Sequence, residues 1–196
     1  MKLGFKIFLE LFILTLRRPF EAGQWIIAKR FSSELGWLSL LLVSIMGTVL
    51  VQLSFSMQPD EVRVAFAAAL NSPLRMALVQ GVFLVFSVFA LHIFGHMAGG
   101  KGRFEDALAL MVWFQVTLMV LQIGQVAISF IAPSIGALSS LLVFSVFFWV
   151  LTHFIMALHG FKSIWMVLSS LVLALICLGF VSLIVLVGLI LPIIGV

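Results

Sequence analysis

Charge is what this 196-residue chain has least of: only 9% of its residues are Asp, Glu, Lys or Arg. Soluble proteins average about 25%. A soluble domain is thereby excluded, and 64% hydrophobic residues with 20 Phe fill the space that charge leaves. Cys177 is the only cysteine, which rules out an intramolecular disulfide or a cysteine metal cluster. No Ser-His-Asp set and no HExxH occurs, and every acidic residue lies outside the long apolar runs or, as Glu105 and Asp106 do, at the very start of one. Enzyme chemistry therefore has no visible residues to carry it.

What is present is a series of apolar runs, each long enough to cross a hydrocarbon core of about 30 Å as a helix. They predict an all-α membrane protein with five transmembrane helices at about 36–55, 74–97, 104–131, 136–158 and 163–191. Residues 1–35 form an amphipathic leader and 36–196 the transmembrane domain. The last run would be roughly 43 Å long at helical rise, so it must tilt, bend near Gly179 or project.

The leader reads as one or two interfacial helices. Lys2, Lys6 and Glu10 recur at four-residue spacing and share one face of an otherwise apolar helix. Glu10 interrupts the apolar core that a cleaved signal peptide needs, and Arg17-Arg18-Pro19 follows it. The segment fits a helix lying in the membrane plane with its cations toward headgroups. Pro19 suits the first turn of a second surface helix, reaching about Arg30. After the first span, Gln58-Pro59-Asp60-Glu61 signals a helix start, and Asn71-Ser72-Pro73 closes a short Ala-rich run.

Cation placement sets the orientation. Nine of the 11 Lys and Arg residues fall on the N-terminal side of the spans, and only Arg63 and Arg75 on the other. The N-terminus is expected in the cytoplasm and the C-terminus on the periplasmic or extracellular side. The formal charge of +4 then reflects orientation and contact with anionic lipid headgroups at the cytoplasmic face, not nucleic-acid binding.

The densest stretch is His92 to Trp113, where two histidines, four glycines, a basic pair and an acidic pair join the second and third spans. Gly95 to Gly102 nearly fits a P-loop, but Gly follows Lys101 where Ser or Thr should bind magnesium, and no strand precedes it. A helix C-terminus and turn explain these glycines more simply, with Gly95 and Gly99 at a spacing that permits close helix approach. Lys101 and Arg103 precede the third span and Glu105 and Asp106 open it, a headgroup-level anchor or a partner surface.

Histidine suggests metal chemistry here. His92 and His96 lie one turn apart, Glu105 or Asp106 is a conceivable third ligand, and His153 lies at the depth of His92. Hydrogen bonding across the bundle is the plainer use of such histidines, and no bound metal or cofactor is expected. Gln115, Gln122 and Gln125 mark one side of the third span, which must face other helices or a partner because an unpaired amide in lipid is costly. A proton- or metal-linked permease built on this His and Gln layer is the alternative function.

Several of these pieces together resemble the Yip (Ypt/Rab-interacting) family of polytopic membrane proteins, in its bacterial branch. They are Arg18-Pro19-Phe20-Glu21-Ala22, Gly99-Gly100-Lys101-Gly102-Arg103-Phe104-Glu105-Asp106-Ala107-Leu108, Trp113-Phe114-Gln115 with Gln122, and Leu158-His159-Gly160-Phe161. The resemblance implies a five-helix bundle without catalytic activity. Eukaryotic members are linked to membrane traffic and small GTPases, but no residue set here matches a GTPase-binding motif. The expectation is an inner-membrane scaffold or accessory subunit with a protein partner or a second copy of itself.

Overall fold

The computed structural model describes residues 2–56 and 72–194. The expected helix start at Gln58-Pro59-Asp60-Glu61, the Ala-rich run after it and Arg63 lie outside the described residues. Among those described, the chain forms seven helices: α1 (Lys2–Arg17), α2 (Pro19–Ala28), α3 (Ser33–Ser56), α4 (Pro73–Met97), α5 (Phe104–Ile131), α6 (Pro133–His159) and α7 (Ile164–Ile194). Helices α3, α4 and α5 and residues Leu138–His159 of α6 are each long and apolar enough to cross a membrane. Helix α7 is 31 residues long and runs unbroken through Gly179.

Local chemistry explains these boundaries. Pro19, Pro73 and Pro133 each open a helix, where the missing N–H costs nothing. Gly99 ends α4 at φ +87, and Gly160 ends α6 at φ +72, the left-handed conformation that favours glycine. At the α4 end the Gly100 N–H donates to Gly95 O at 2.8 Å and the Gly99 N–H to His96 O at 2.9 Å, which closes the last turn as a Schellman motif.

Helix α5 is the central element, packing most extensively on α6 and α3. The buried core gathers at one end of the bundle, where α5 and α7 begin and α4 and α6 finish. Leu108, Leu110 and Phe114 of α5, Val150 and Phe154 of α6, and Val88 of α4 are almost fully enclosed there. Toward the other end, large apolar side chains such as Phe130, Ile131 and Leu141 face outward, as a lipid-facing surface requires.

The second leader helix is more than a surface element. Pro19, Ala22, Gly23 and Ile26 are buried, and α2 packs on α6 and α5. Gly23 is the reason it approaches so closely: an added Cβ would stand 3.0 Å from Ala157 Cβ and 3.3 Å from Phe154 Cδ1. Helix α1 is fastened to the same bundle. The indole N–H of Trp113 donates to Thr15 Oγ1 at 2.9 Å, that of Trp149 donates to Leu16 O at 3.3 Å, and Phe8 meets Trp113 edge-on at 5.5 Å. Phe5, Leu9 and Ile13 on its outer side stay exposed, next to the Lys6–Glu10 pair.

Candidate functional site

The two glycine turns of the sequence meet at one histidine. His159, the last residue of α6, is buried between Gly95 of α4 and Gly100 of the following turn. A Cβ on either glycine would collide with the imidazole ring. The Gly102 N–H donates to His159 Nδ1 at 3.3 Å, so Nδ1 carries no proton and the neutral ring holds its proton on Nε2. That N–H donates to Leu91 O at 3.1 Å. Both ring nitrogens are therefore occupied, and each hydrogen bond ties α6 to a different part of the α4 end. Phe161 stacks on the ring at 5.5 Å, and Gly102 fits against Leu158. Gly-Gly-Lys-Gly and His-Gly-Phe are two halves of one interlock.

His92 and His96 lie beside it, with ring centroids 4.3 Å apart and His96 5.8 Å from His159. The structure thus places His159, not His153, next to this pair. His153 belongs to another contact, 4.1 Å from the Trp149 ring, with its Nδ1–H donating to Trp149 O at 2.7 Å. His96 Nδ1–H likewise donates to His92 O at 2.9 Å. His92 Nδ1 is buried without a hydrogen-bond partner among the described residues.

This donor set is poor for a metal. His159 has no free nitrogen, His96 has one, and Glu105 is held by Arg103 at 3.2 Å. Among the described residues no group of three or more His, Cys, Asp and Glu is arranged to hold a metal ion. Asp106 is buried in the first turn of α5, while Lys101 and Arg103 are exposed.

The glutamines of α5 reach neighbouring helices. Gln122 Nε2 donates to Ser54 Oγ at 3.3 Å on α3, and Gln125 Nε2 donates to Ser140 Oγ at 2.7 Å on α6. Gln115 approaches α3 at Gly47, where a Cβ would stand 3.4 Å from its Nε2. Sequence reasoning missed the rest of this polar seam. Thr48 Oγ1 donates to Gln80 Oε1 at 3.0 Å, Gln80 crowds Gly47, and Gln52 Oε1 is buried without a partner among the described residues. The available signal was Gln80 inside the second span and Thr48 and Gln52 one turn apart in the first.

Taken together, the apolar spanning helices and the interlocked end define a multi-pass helical membrane protein. Within that class its family is specific: the Yip1 domain model matches residues 13–191, and the chain belongs to the Yip1 family. No curated protein and no solved structure matches it.

Proposed function

We propose that this protein is a non-enzymatic scaffold or accessory subunit of a membrane complex, held in a bacterial inner membrane by five spans of which α7 is the fifth. The N-terminus is cytoplasmic and the C-terminus periplasmic, following the cation bias of the connecting segments. One observation carries the reading. Lys6, Arg17, Arg18, Lys29, Arg30, Lys101, Arg103 and Lys162 are all exposed, while His159 beneath them is used on the α4 turn and, farther along α5, Gln122 and Gln125 bond Ser54 and Ser140 of neighbouring helices.

A catalyst would keep polar groups free for substrate in a pocket; this arrangement leaves its charge on the outside, where it can meet anionic headgroups and an acidic partner surface. The leader contributes to the same face because α1 and α2 are tied to α5 and α6. Purification from mild detergent tests the proposal. A stable assembly larger than the chain itself is expected, and it should dissociate when Lys29, Arg30 and Arg103 are changed together to Glu. A monodisperse lone monomer would contradict it.

The second reading, a small permease, is favoured by the unpartnered Gln52 Oε1 on the polar seam between α3, α4 and α5. Solute or proton flux in liposomes that falls when Gln52 and Gln80 are changed to Leu would favour this reading, and unchanged flux would remove it.

A further inference from the structure

A cleft opens between α4 and α7 over α5 and α6, beside the histidine interlock, with which it shares Leu91, Gly95 and Phe161. It has a volume of about 230 Å³ and is lined from α4 by Leu84, Ser87 and Ala98, from α5 by Gln115, and by Phe161 and Ser170 at the α7 side. Its wall is overwhelmingly apolar. From Leu84 to Ala98 it follows α4 for roughly 21 Å at helical rise, so it is long and narrow. Helix α7 leans mainly on α6 and touches α4 only lightly, so the cleft faces the bilayer sideways. Drug-sized ligands occupy about 300–1,000 Å³ in compact pockets. A slot of this size and length suits a single extended hydrocarbon chain.

The rim of the cleft says what the other end of such a molecule carries. Lys162 follows Phe161 directly, and Lys101 lies three residues beyond Ala98; both are exposed and neither forms an ion pair among the described residues. Three other cations of this end are engaged, Arg103 with Glu105, Arg18 with Glu21, and Lys29 over the Trp25 ring at 4.6 Å, while the exposed Arg17 and Arg30 lie on the leader, away from the residues that line the cleft. Helix α7 starts at Ile164, two residues after Lys162, with the Met166 N–H donating to Ser163 Oγ at 3.3 Å, and the positive end of its dipole adds to the same rim. Trp165, in the first turn of α7, and Met97, at the end of α4, are both largely exposed near these chain positions.

We infer that the α4–α7 cleft is a binding site for one anionic phospholipid of the cytoplasmic leaflet, with an acyl chain in the slot and its phosphate on Lys101 and Lys162. This goes beyond the scaffold reading and does not need it, because the ligand is a lipid and no partner protein takes part. The lipid would fill the gap that α7 leaves against α4 and hold that last helix to the bundle.

Native mass spectrometry of the full chain, released from detergent with added phosphatidylglycerol or phosphatidylcholine of equal chain length, tests the inference. A one-to-one adduct is expected, with phosphatidylglycerol retained about tenfold over phosphatidylcholine, a preference of about 1.4 kcal/mol. The double variant Lys101→Gln/Lys162→Gln, at two exposed positions that packing does not depend on, should bring that preference close to one. Ala90→Phe, on the cleft wall, should reduce both adducts. Glycerol phosphate, which has the headgroup chemistry and no chain, should not compete. The inference is overturned if the double variant keeps the preference, if Ala90→Phe folds and keeps both adducts, or if glycerol phosphate displaces the lipid. Should Ala90→Phe fail to fold, the lysine variant and the glycerol phosphate competition still decide.

Discussion

Gly102 and His159, 57 positions apart, are joined by a hydrogen bond of 3.3 Å from the backbone N–H of the first to Nδ1 of the second. This bond connects the α4–α5 turn to the end of α6. The same imidazole reaches Leu91 O through Nε2 and is enclosed by Gly95 and Gly100. One side chain thus fixes the relative positions of three helix ends, and the exposed cations around them inherit that fixed geometry.

Removing His159 should loosen those ends. His159→Leu leaves the buried Gly102 N–H without its acceptor, a loss of about 1–3 kcal/mol. Hydrogen exchange checks this directly: protection at Gly102 should fall in His159→Leu, while amides near Ile128 at the opposite end should be unaffected.

The glycines beside it should divide into two kinds. Gly95→Ala places a methyl group where the imidazole lies and is expected to cost about 1–3 kcal/mol by overpacking. Gly99→Ala meets no neighbouring atom within 4 Å, but its φ of +87 disfavours any Cβ, so a smaller loss of about 1 kcal/mol is expected. Thermal unfolding in one detergent should rank wild type above Gly99→Ala and Gly99→Ala above Gly95→Ala.

The Trp113 indole should be one measurable tie between the leader and the bundle. A double-mutant cycle with Thr15→Val and Trp113→Phe is expected to give a coupling of about 0.5–1.5 kcal/mol, the usual value of one hydrogen bond. Either variant alone should increase proteolytic cleavage within residues 2–17. Additive effects of the two changes would show that the leader docks without this contact.

The glutamine bridges should matter modestly. Gln122→Leu removes a bond to Ser54, and interhelical hydrogen bonds in membranes average about 0.6 kcal/mol. Unfolding in detergent should shift by about that amount, and Ser54→Ala added to Gln122→Leu should cost little more.

Much of the fold was legible because its punctuation is local. Pro73, Gly99 and Gly160 act on their own backbones, and both ends of α4 and the C-terminal end of α6 lie within a residue of the expected 74–97 and 158, whereas α6 opens at Pro133, three residues before the expected 136. The interlock was not legible, because nothing in the order of residues says that Gly95 faces His159. His92 and His153 match in depth, yet His153 packs on Trp149, one turn earlier on its own helix, and His159 at the helix end reaches the pair instead. Helix α2 had a local signal that the surface reading passed over. Ala22 and Gly23 precede Ile26 on one face, a combination suited to close helix packing more than to lipid headgroups. On the polar seam the partners of Gln122 and Gln125 are single serines, and serines are too frequent along the spans to be chosen by sequence.

The claim that the charged end is the docking face is tested most directly by photo-crosslinking in intact membranes. A photoreactive amino acid replaces Lys29 or Arg103 on that face in two variants, and Leu141 on the lipid-facing surface in a third. Discrete protein adducts are predicted from positions 29 and 103, with only lipid adducts from position 141. Lipid adducts alone from all three positions, or a protein adduct from position 141 alone, would contradict the account.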